Sequence, residues 1–504
     1  MATAIISSLA FCLITLSVFH KVVYNLYFHP LARFPGPSLW CASRIPYLWK
    51  LCCGKLPGKI RAYHDKYGPV VRIAPDELSF DDPAAWRDIY LGQTLEQPSR
   101  RRIKPTGLFM ENLILAHPET HPRTRDALDL AFSEASVDNY EPIVTRVIDR
   151  LITKLKSSIT KKNDGDSALN IARCLELTSF DIAAEVVWGS SFECLEGGQG
   201  NLVVDYALSR KERLIAMALT FYPFLAFLSP LLSVSSTRTT TLQLFRRKTT
   251  ERISKHQATP SGQQSQPDVL GSILQSQASE TLPVTALEQT PVELVMDGSG
   301  PIAAVLIGTL NYLLRSPSKY DHLVQEIRGS FKRETDINGS ATSPLPYLHA
   351  VVTEGLRIAP PFPDGLHRVI PAGGLTVAGC SVPPKTDVST GCWVQFMNPR
   401  NFACPEEFVP ERWLHAKGAG GIGGRTIVDT ANKDAFYPFG LGARRCLGEP
   451  LAWLELKLTL ARLLWNFDIS IPPEKTLPVW GEQDVFWTWD VQPMEVSLRL
   501  CRRF

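Results

Sequence analysis

A mainly α-helical chain with small β-sheets is what the sequence predicts, built as one large domain behind an N-terminal membrane helix. Three observations predict it. Helical periodicity dominates from Pro122 to about His256 and returns in long stretches after Thr290 and Pro450. Strand-like segments are short and few, at Val70 to Phe80 and within Arg368 to Val388. The chain opens with an uncharged apolar run, ATAIISSLAFCLITLSVF, from Ala2 to Phe19.

Those 18 residues span about 27 Å as a helix, close to the thickness of an endoplasmic-reticulum bilayer. His20 and Lys21 follow, then an aromatic patch from Tyr24 to Phe28, Arg33 and an FPGP turn at Phe34 to Pro37. The basic residues come after the apolar run, so the positive-inside rule keeps the bulk of the chain cytosolic. The rival reading is a cleaved signal peptide, which wants a basic start and a small-residue cleavage site; neither is clear. Residues 1–28 are assigned to a single-pass endoplasmic-reticulum anchor and residues 29–504 to the domain it tethers. The sequon Asn338-Gly339-Ser340 would go unused on the cytosolic side.

Lys59 to Tyr67 reads as a short helix, and Val70 to Phe80 alternates as strands do. Leu214 to Thr237 is uncharged and carries Phe221, Tyr222, Phe224 and Phe227. Three readings stay open for it: a buried helix pair, a membrane-dipping segment beside a substrate channel, or a second span, which Pro223 and Pro230 argue against. Gln257 to Gln289 is loop-like, with short helical pieces. Thr290-Pro291-Val292-Glu293 forms a capping box with proline at the first helical position. The helix it opens runs to Arg315, and the 25 residues from Pro291 make about 37 Å, enough to cross a domain. A further helix ends at Pro360-Pro361, short strands fill Arg368 to Val388, and a last long helix covers about Pro450 to Trp465.

With 44% hydrophobic and 20% charged residues in 504, the chain can bury a large core, which excludes wholesale disorder. Its 53 basic and 50 acidic side chains leave a net charge of +3, which gives no bulk attraction to nucleic acid. Eleven scattered cysteines with no CxxC pair exclude a disulfide scaffold or a zinc ribbon and suit reduced cytosolic thiols. Gly418 to Gly423 matches GxGxxG in letters but has no strand before it and no helix after it. His117 and His121 stand four apart, but Pro118 and Pro122 break the helix a zinc pair would need.

Residues 439 to 448, FGLGARRCLG, carry the chemistry. Cys446 stands at the mouth of the last long helix, where free N–H groups and the positive dipole end favour a thiolate. Gly440, Gly442 and Gly448 let the backbone turn tightly and approach a flat ligand. Arg444 supplies a cation for an anionic rim and Phe439 an aromatic contact. These are the parts of a haem-thiolate site, in which cysteine pushes electron density toward iron and favours O–O cleavage.

The segment resembles the haem-binding signature of the cytochrome P450 family, FxxGxRxCxG, at every fixed position: Phe439, Gly442, Arg444, Cys446 and Gly448. Glu354-Gly355-Leu356-Arg357 is similar to the family's ExxR, and Pro410-Glu411-Arg412-Trp413 resembles its later arginine loop. The resemblance implies that Glu354, Arg357 and Arg412 lock the cysteine loop without taking part in the chemistry. It also implies haem b held by Cys446, with His121, Arg125 and Arg368 facing the haem carboxylates. It implies a monooxygenase that hydroxylates, epoxidises or desaturates a mostly apolar small molecule, in the style of fungal secondary-metabolite biosynthesis. Electrons would come from an NADPH-dependent cytochrome P450 reductase, with cytochrome b5 as an optional donor, docking on exposed cations such as Arg445 and Lys457.

One departure stands against the family pattern. The central helix normally carries (Ala/Gly)-Gly-x-(Asp/Glu)-Thr over the haem, and this chain reads Asp297-Gly298-Ser299-Gly300-Pro301. Glycine holds the acid position and proline the threonine position. The cluster of helix breakers predicts a distorted helix there, because an interior proline cannot donate to the carbonyl four residues back, that of Asp297. Asp297, one turn earlier, is the candidate catalytic acid; proton relay, substrate anchor and structural role are its three open readings. The loss of the usual pair keeps a second function in view, a haem-thiolate enzyme that isomerises, dehydrates, couples or uses peroxide. A non-catalytic haem sensor is the third.

Overall fold

Helical periodicity closes into nine helices of twelve residues or more among the described residues. The structure, a computed structural model, describes residues 2–92, 95–97, 125–126, 128–160, 168–197, 204–205, 209, 236–258, 268–275, 284–414 and 431–501. The helices are α1 Ala2–Val23, α2 Leu56–Tyr67, α3 Glu134–Thr160, α4 Ile171–Trp188 and α5 Ser236–Ala258. They continue with α6 Val284–Leu314, α7 Pro317–Ser330, α8 Pro346–Ile358 and α9 Glu449–Asn466. His121, the segment from Leu214 to Ser235 and the Gly418 to Gly423 loop lie outside the described residues.

The strands are short, as expected. β1 Val70–Ala74, β2 Glu77–Phe80, β4 Arg368–Val369 and β7 Asp387–Ser389 form one sheet in the order β1-β2-β7-β4. There β2 runs parallel to β7 and β4 antiparallel to it, so Leu78 and Arg368 both lie opposite Val388. β5 Leu375–Val377 pairs with β6 Cys380–Val382, and β9 Val485–Phe486 pairs with β10 Thr488–Trp489. β3 Leu169–Asn170 and β8 Phe467–Ser470 flank β11 Glu495–Leu500. The stretch from Val70 to Phe80 is thus a hairpin rather than one alternating strand. Every residue in it from Val71 to Ala74 and Glu77 to Phe80 is buried, because the hairpin is covered on both faces.

The main core gathers α3, α4, α6, α8 and α9 around side chains such as Val147, Leu175, Ile307, Val351 and Leu460. Each such fully buried aliphatic side chain contributes about 1.5–3 kcal/mol. A second cluster, with Trp86, Phe396 and Phe402, lies under the four-stranded sheet. The central helix α6 packs most extensively on α4. It is long and apolar enough to cross a bilayer, yet 67% of its apolar window is buried inside the protein, so it is a core helix.

Two expectations for α6 are corrected. It starts by Val284, upstream of the Thr290 capping box, because Val284 to Gln289 includes good helix formers that extend the helix past Pro291. It also runs unbroken through Gly298, Ser299, Gly300 and Pro301. Packing along α4 overrides the breakers; a Cβ at Gly298 would meet the Ala183 Cβ at 3.8 Å, an ordinary contact. By contrast the described apolar side chains of α1 are exposed, with Ile5 and Phe11 at 65% and 70%.

Candidate active site

The cysteine loop is fixed by its own backbone. Cys446 N–H donates to the Phe439 carbonyl at 2.9 Å, Arg445 N–H to Gly442 at 3.0 Å and Gly440 N–H to Tyr437 at 3.0 Å. Gly442 has φ +76°, and a Cβ there would stand 1.8 Å from the Tyr90 carbonyl oxygen. Glycine is therefore required here to let the loop pass the Tyr90 backbone. Phe439 packs on Trp453 of α9, with ring centroids 6.1 Å apart.

Two residues from opposite sides share one interior. Cys446 at the mouth of α9 and Asp297 on α6 both keep accessible surface, and each feels the desolvation of surrounding protein and Cys446 the charge of Asp297. Burial pushes the Asp297 carboxyl up to about 7. Burial likewise pushes the Cys446 thiol up to about 11; the Gly448 N–H and Arg125 work against it, while Glu449 and Asp297 add to it. Desolvation thus opposes the charged form that the helix terminus favours. A cation bound at the sulfur would deprotonate it outright. Ser299 turns away: it is 7% exposed, and its hydroxyl donates to the Met296 carbonyl at 3.4 Å.

Arg368 tests whether an anionic cofactor fits. Arg368 is 4% exposed, and its guanidinium donates to the carbonyl of His367 at 2.8 Å and lies 5.3 Å from the Tyr90 ring centroid. It has no carboxylate partner among the described residues. A buried cation so placed costs free energy until an anion meets it, and a haem carboxylate would supply one. Arg125 belongs to the same neighbourhood: it donates to the Arg445 carbonyl at 2.6 Å and pairs with Asp129 at 2.9 Å. Arg444 lies half-buried in the single turn Gly442–Arg444 beside the cysteine.

The lock around the loop is complete. Arg357 donates to both oxygens of Glu354 at 2.8 and 2.9 Å, and Arg412 Nε donates to Glu354 Oε1 at 3.2 Å. All three side chains are fully buried. The same carboxylate accepts from Val409 N–H and Trp413 Nε1, both at 2.8 Å. Burial alone would raise the Glu354 pKa; its two arginines and the Val409 N–H turn the balance, and it is lowered.

Sequence reasoning missed Tyr90. Its hydroxyl donates to the Leu366 carbonyl at 2.5 Å, its ring carries Arg368 and its carbonyl shapes Gly442. No local signal marks it, since all these contacts cross the chain. One reading of the surface is also corrected. Lys457 is 9% exposed, its side chain lying against Trp453 and near the Ser343 carbonyl, so it offers no docking charge. Arg445 remains 55% exposed, paired with Glu449.

A deep cysteine loop under a long helix, locked by a buried Glu–Arg–Arg network, defines the haem-thiolate class. The family model named Cytochrome P450 matches residues 35–488. The cytochrome P450 monooxygenase efuB of Hormonema carpetanum is 31% identical, with 95% of this chain and 94% of the relative covered. The monooxygenase astJ of Aspergillus oryzae is 31% identical with the same coverage, and aba2 of Botryotinia fuckeliana is 32% identical over 95% of this chain and 89% of the relative. The chain belongs to the cytochrome P450 family. It is a monooxygenase, an oxidoreductase whose cofactor is haem with iron and an axial cysteine thiolate.

Proposed function

We propose that this chain oxidises a mostly apolar small molecule in fungal secondary-metabolite biosynthesis, by hydroxylation, epoxidation or desaturation. Cys446 is the thiolate ligand, Phe439 packs the loop, and Arg444, Arg125, Arg368 and His121 hold the haem carboxylates. Bound haem would supply oxygen activation, with the thiolate favouring O–O cleavage. Asp297 is the catalytic acid–base group on the opposite side. The observation that carries this reading is the shared interior of Cys446 and Asp297, with Arg368 buried nearby and lacking an acid.

Electrons come from an NADPH-dependent cytochrome P450 reductase, with cytochrome b5 as an optional donor, docking where Arg445 is exposed. Residues 1–28 anchor the chain in the endoplasmic-reticulum membrane and residues 29–504 work in the cytosol, because the exposed apolar helix α1 needs a bilayer to cover it. The test is isotopic. NADPH-dependent entry of one ¹⁸O atom from ¹⁸O₂ into product supports oxygen insertion. Product formed with peroxide alone, or with neither electrons nor oxidant, supports redirected chemistry. That second reading is favoured by one observation: Pro301 has no hydroxyl and the Ser299 hydroxyl is spent on Met296.

A further inference from the structure

Asp297 is a carboxyl with nothing to hold. Among the described residues it has neither a hydrogen-bond nor an ion-pair partner, and burial is the whole cause of its raised pKa. Three buried acids, unlike Glu455, are paired. Glu354 has two arginines, Asp268 has Arg252, and Asp81 has Asn398. Asp297 also keeps accessible surface toward the interior that Cys446 shares. Its neighbours leave that interior open, since Gly298 and Gly300 carry no side chain and a Cβ at Gly300 would meet nothing within 4 Å.

An unpaired carboxylate in an enclosed interior is complementary to a cation and gains nothing comparable from a hydrocarbon.

We infer that the substrate is a mostly apolar molecule carrying a basic nitrogen, whose ammonium group pairs with Asp297. This rests on the monooxygenase reading above and narrows its substrate class. An ammonium N–H against the carboxyl keeps a transferable proton there, so recognition and acid–base work are compatible at one residue.

The test uses the full-length, haem-loaded protein and two probes of equal shape, a dimethylaminoalkyl benzene and its neutral isopropyl isostere. Binding is measured by equilibrium dialysis across the pH range around 7, with the haem spectrum recorded in parallel. The expected result is that the amine binds roughly tenfold or more tighter than its isostere. That preference should grow as pH rises through about 7, as Asp297 ionises, and should vanish in Asp297→Asn. Equal binding of the two probes by the native protein overturns the inference without any variant. So does an amine whose preference survives in Asp297→Asn, or whose spectrum shows nitrogen bound to the iron. The carbon monoxide spectrum of the reduced protein separates the levels. A thiolate-type band without amine preference sinks the inference alone, whereas absence of that band in the native protein sinks the haem-thiolate reading beneath it.

Discussion

Glu455 sits nine residues beyond Cys446, on the helix that the cysteine loop opens. It is 3% exposed, its Oε1 has no hydrogen-bond partner, and the Thr459 hydroxyl one turn on is likewise unbonded. Burial pushes its pKa from the ordinary 4.5 to about 8, with Ser179 opposing weakly. A folded pKa above the unfolded one means the folded state holds the proton more tightly. Stability from this group is therefore full below about pH 4.5 and is lost progressively as pH rises to about 8. The whole gap corresponds to about 5 kcal/mol, of which about 3 kcal/mol is gone by neutral pH. For a chain of this size 1 kcal/mol moves the melting temperature by about 1 °C. Glu455→Gln removes the titration but keeps the shape. The absolute melting temperature of the variant is set partly by its buried amide, so the readout is the difference curve. Native and variant proteins are melted at matched scan rate from mildly acidic to mildly alkaline pH, following haem absorbance. The variant should gain about 3 °C relative to the native protein between the acid end and neutrality. Parallel curves would refute the argument and place a compensating group at Glu455.

Three further outcomes follow from the site. Asp297→Asn should raise peroxide released per NADPH and lower product yield; in the native enzyme, coupling should fall as pH rises through about 7 and the protonated acid is lost, a limb the variant lacks. Glu354→Gln leaves two buried guanidinium groups short of a charge and should cost about 3–5 kcal/mol, read as lost haem retention and lower melting temperature. Gly442→Ala, strained at φ +76° and in collision with the Tyr90 carbonyl, should lose the carbon monoxide band of thiolate haem. A normal spectrum in that variant would mean the loop does not need its path past Tyr90.

What was legible in the sequence is what is local in the chain. Phe439 to Gly448 presents its chemistry within ten residues, and Glu354 with Arg357 lie one helical turn apart, so spacing alone pairs them. The last helix was bounded to within a residue at each end, about Pro450 to Trp465 against Glu449–Asn466. The start of α6 was misplaced because a proline after a capping residue looks alike at a true terminus and inside a helix that packing has extended. Contacts that cross the chain left no trace. Gly442 meets Tyr90 more than three hundred residues away, and the Lys457 ammonium is covered by Trp453 through tertiary folding.

The same distinction explains why the departure at Asp297 to Pro301 was readable as a change but not as an outcome. Sequence pattern shows that the acid and alcohol are missing from their usual places, and helix chemistry predicts a break there. Packing along α4 keeps the helix whole, so the substitution does not open α6; it only moves the carboxyl one turn toward the helix start and leaves Ser299 facing inward to the core. With the alcohol gone and the serine hydroxyl bonded to its own backbone, Asp297 is the one ionisable group on this turn of α6. A relay built from one carboxyl needs a second proton-bearing partner that the helix does not provide. On the inference drawn above, a substrate with its own N–H would meet that need beside a carboxyl that has no partner among the described residues.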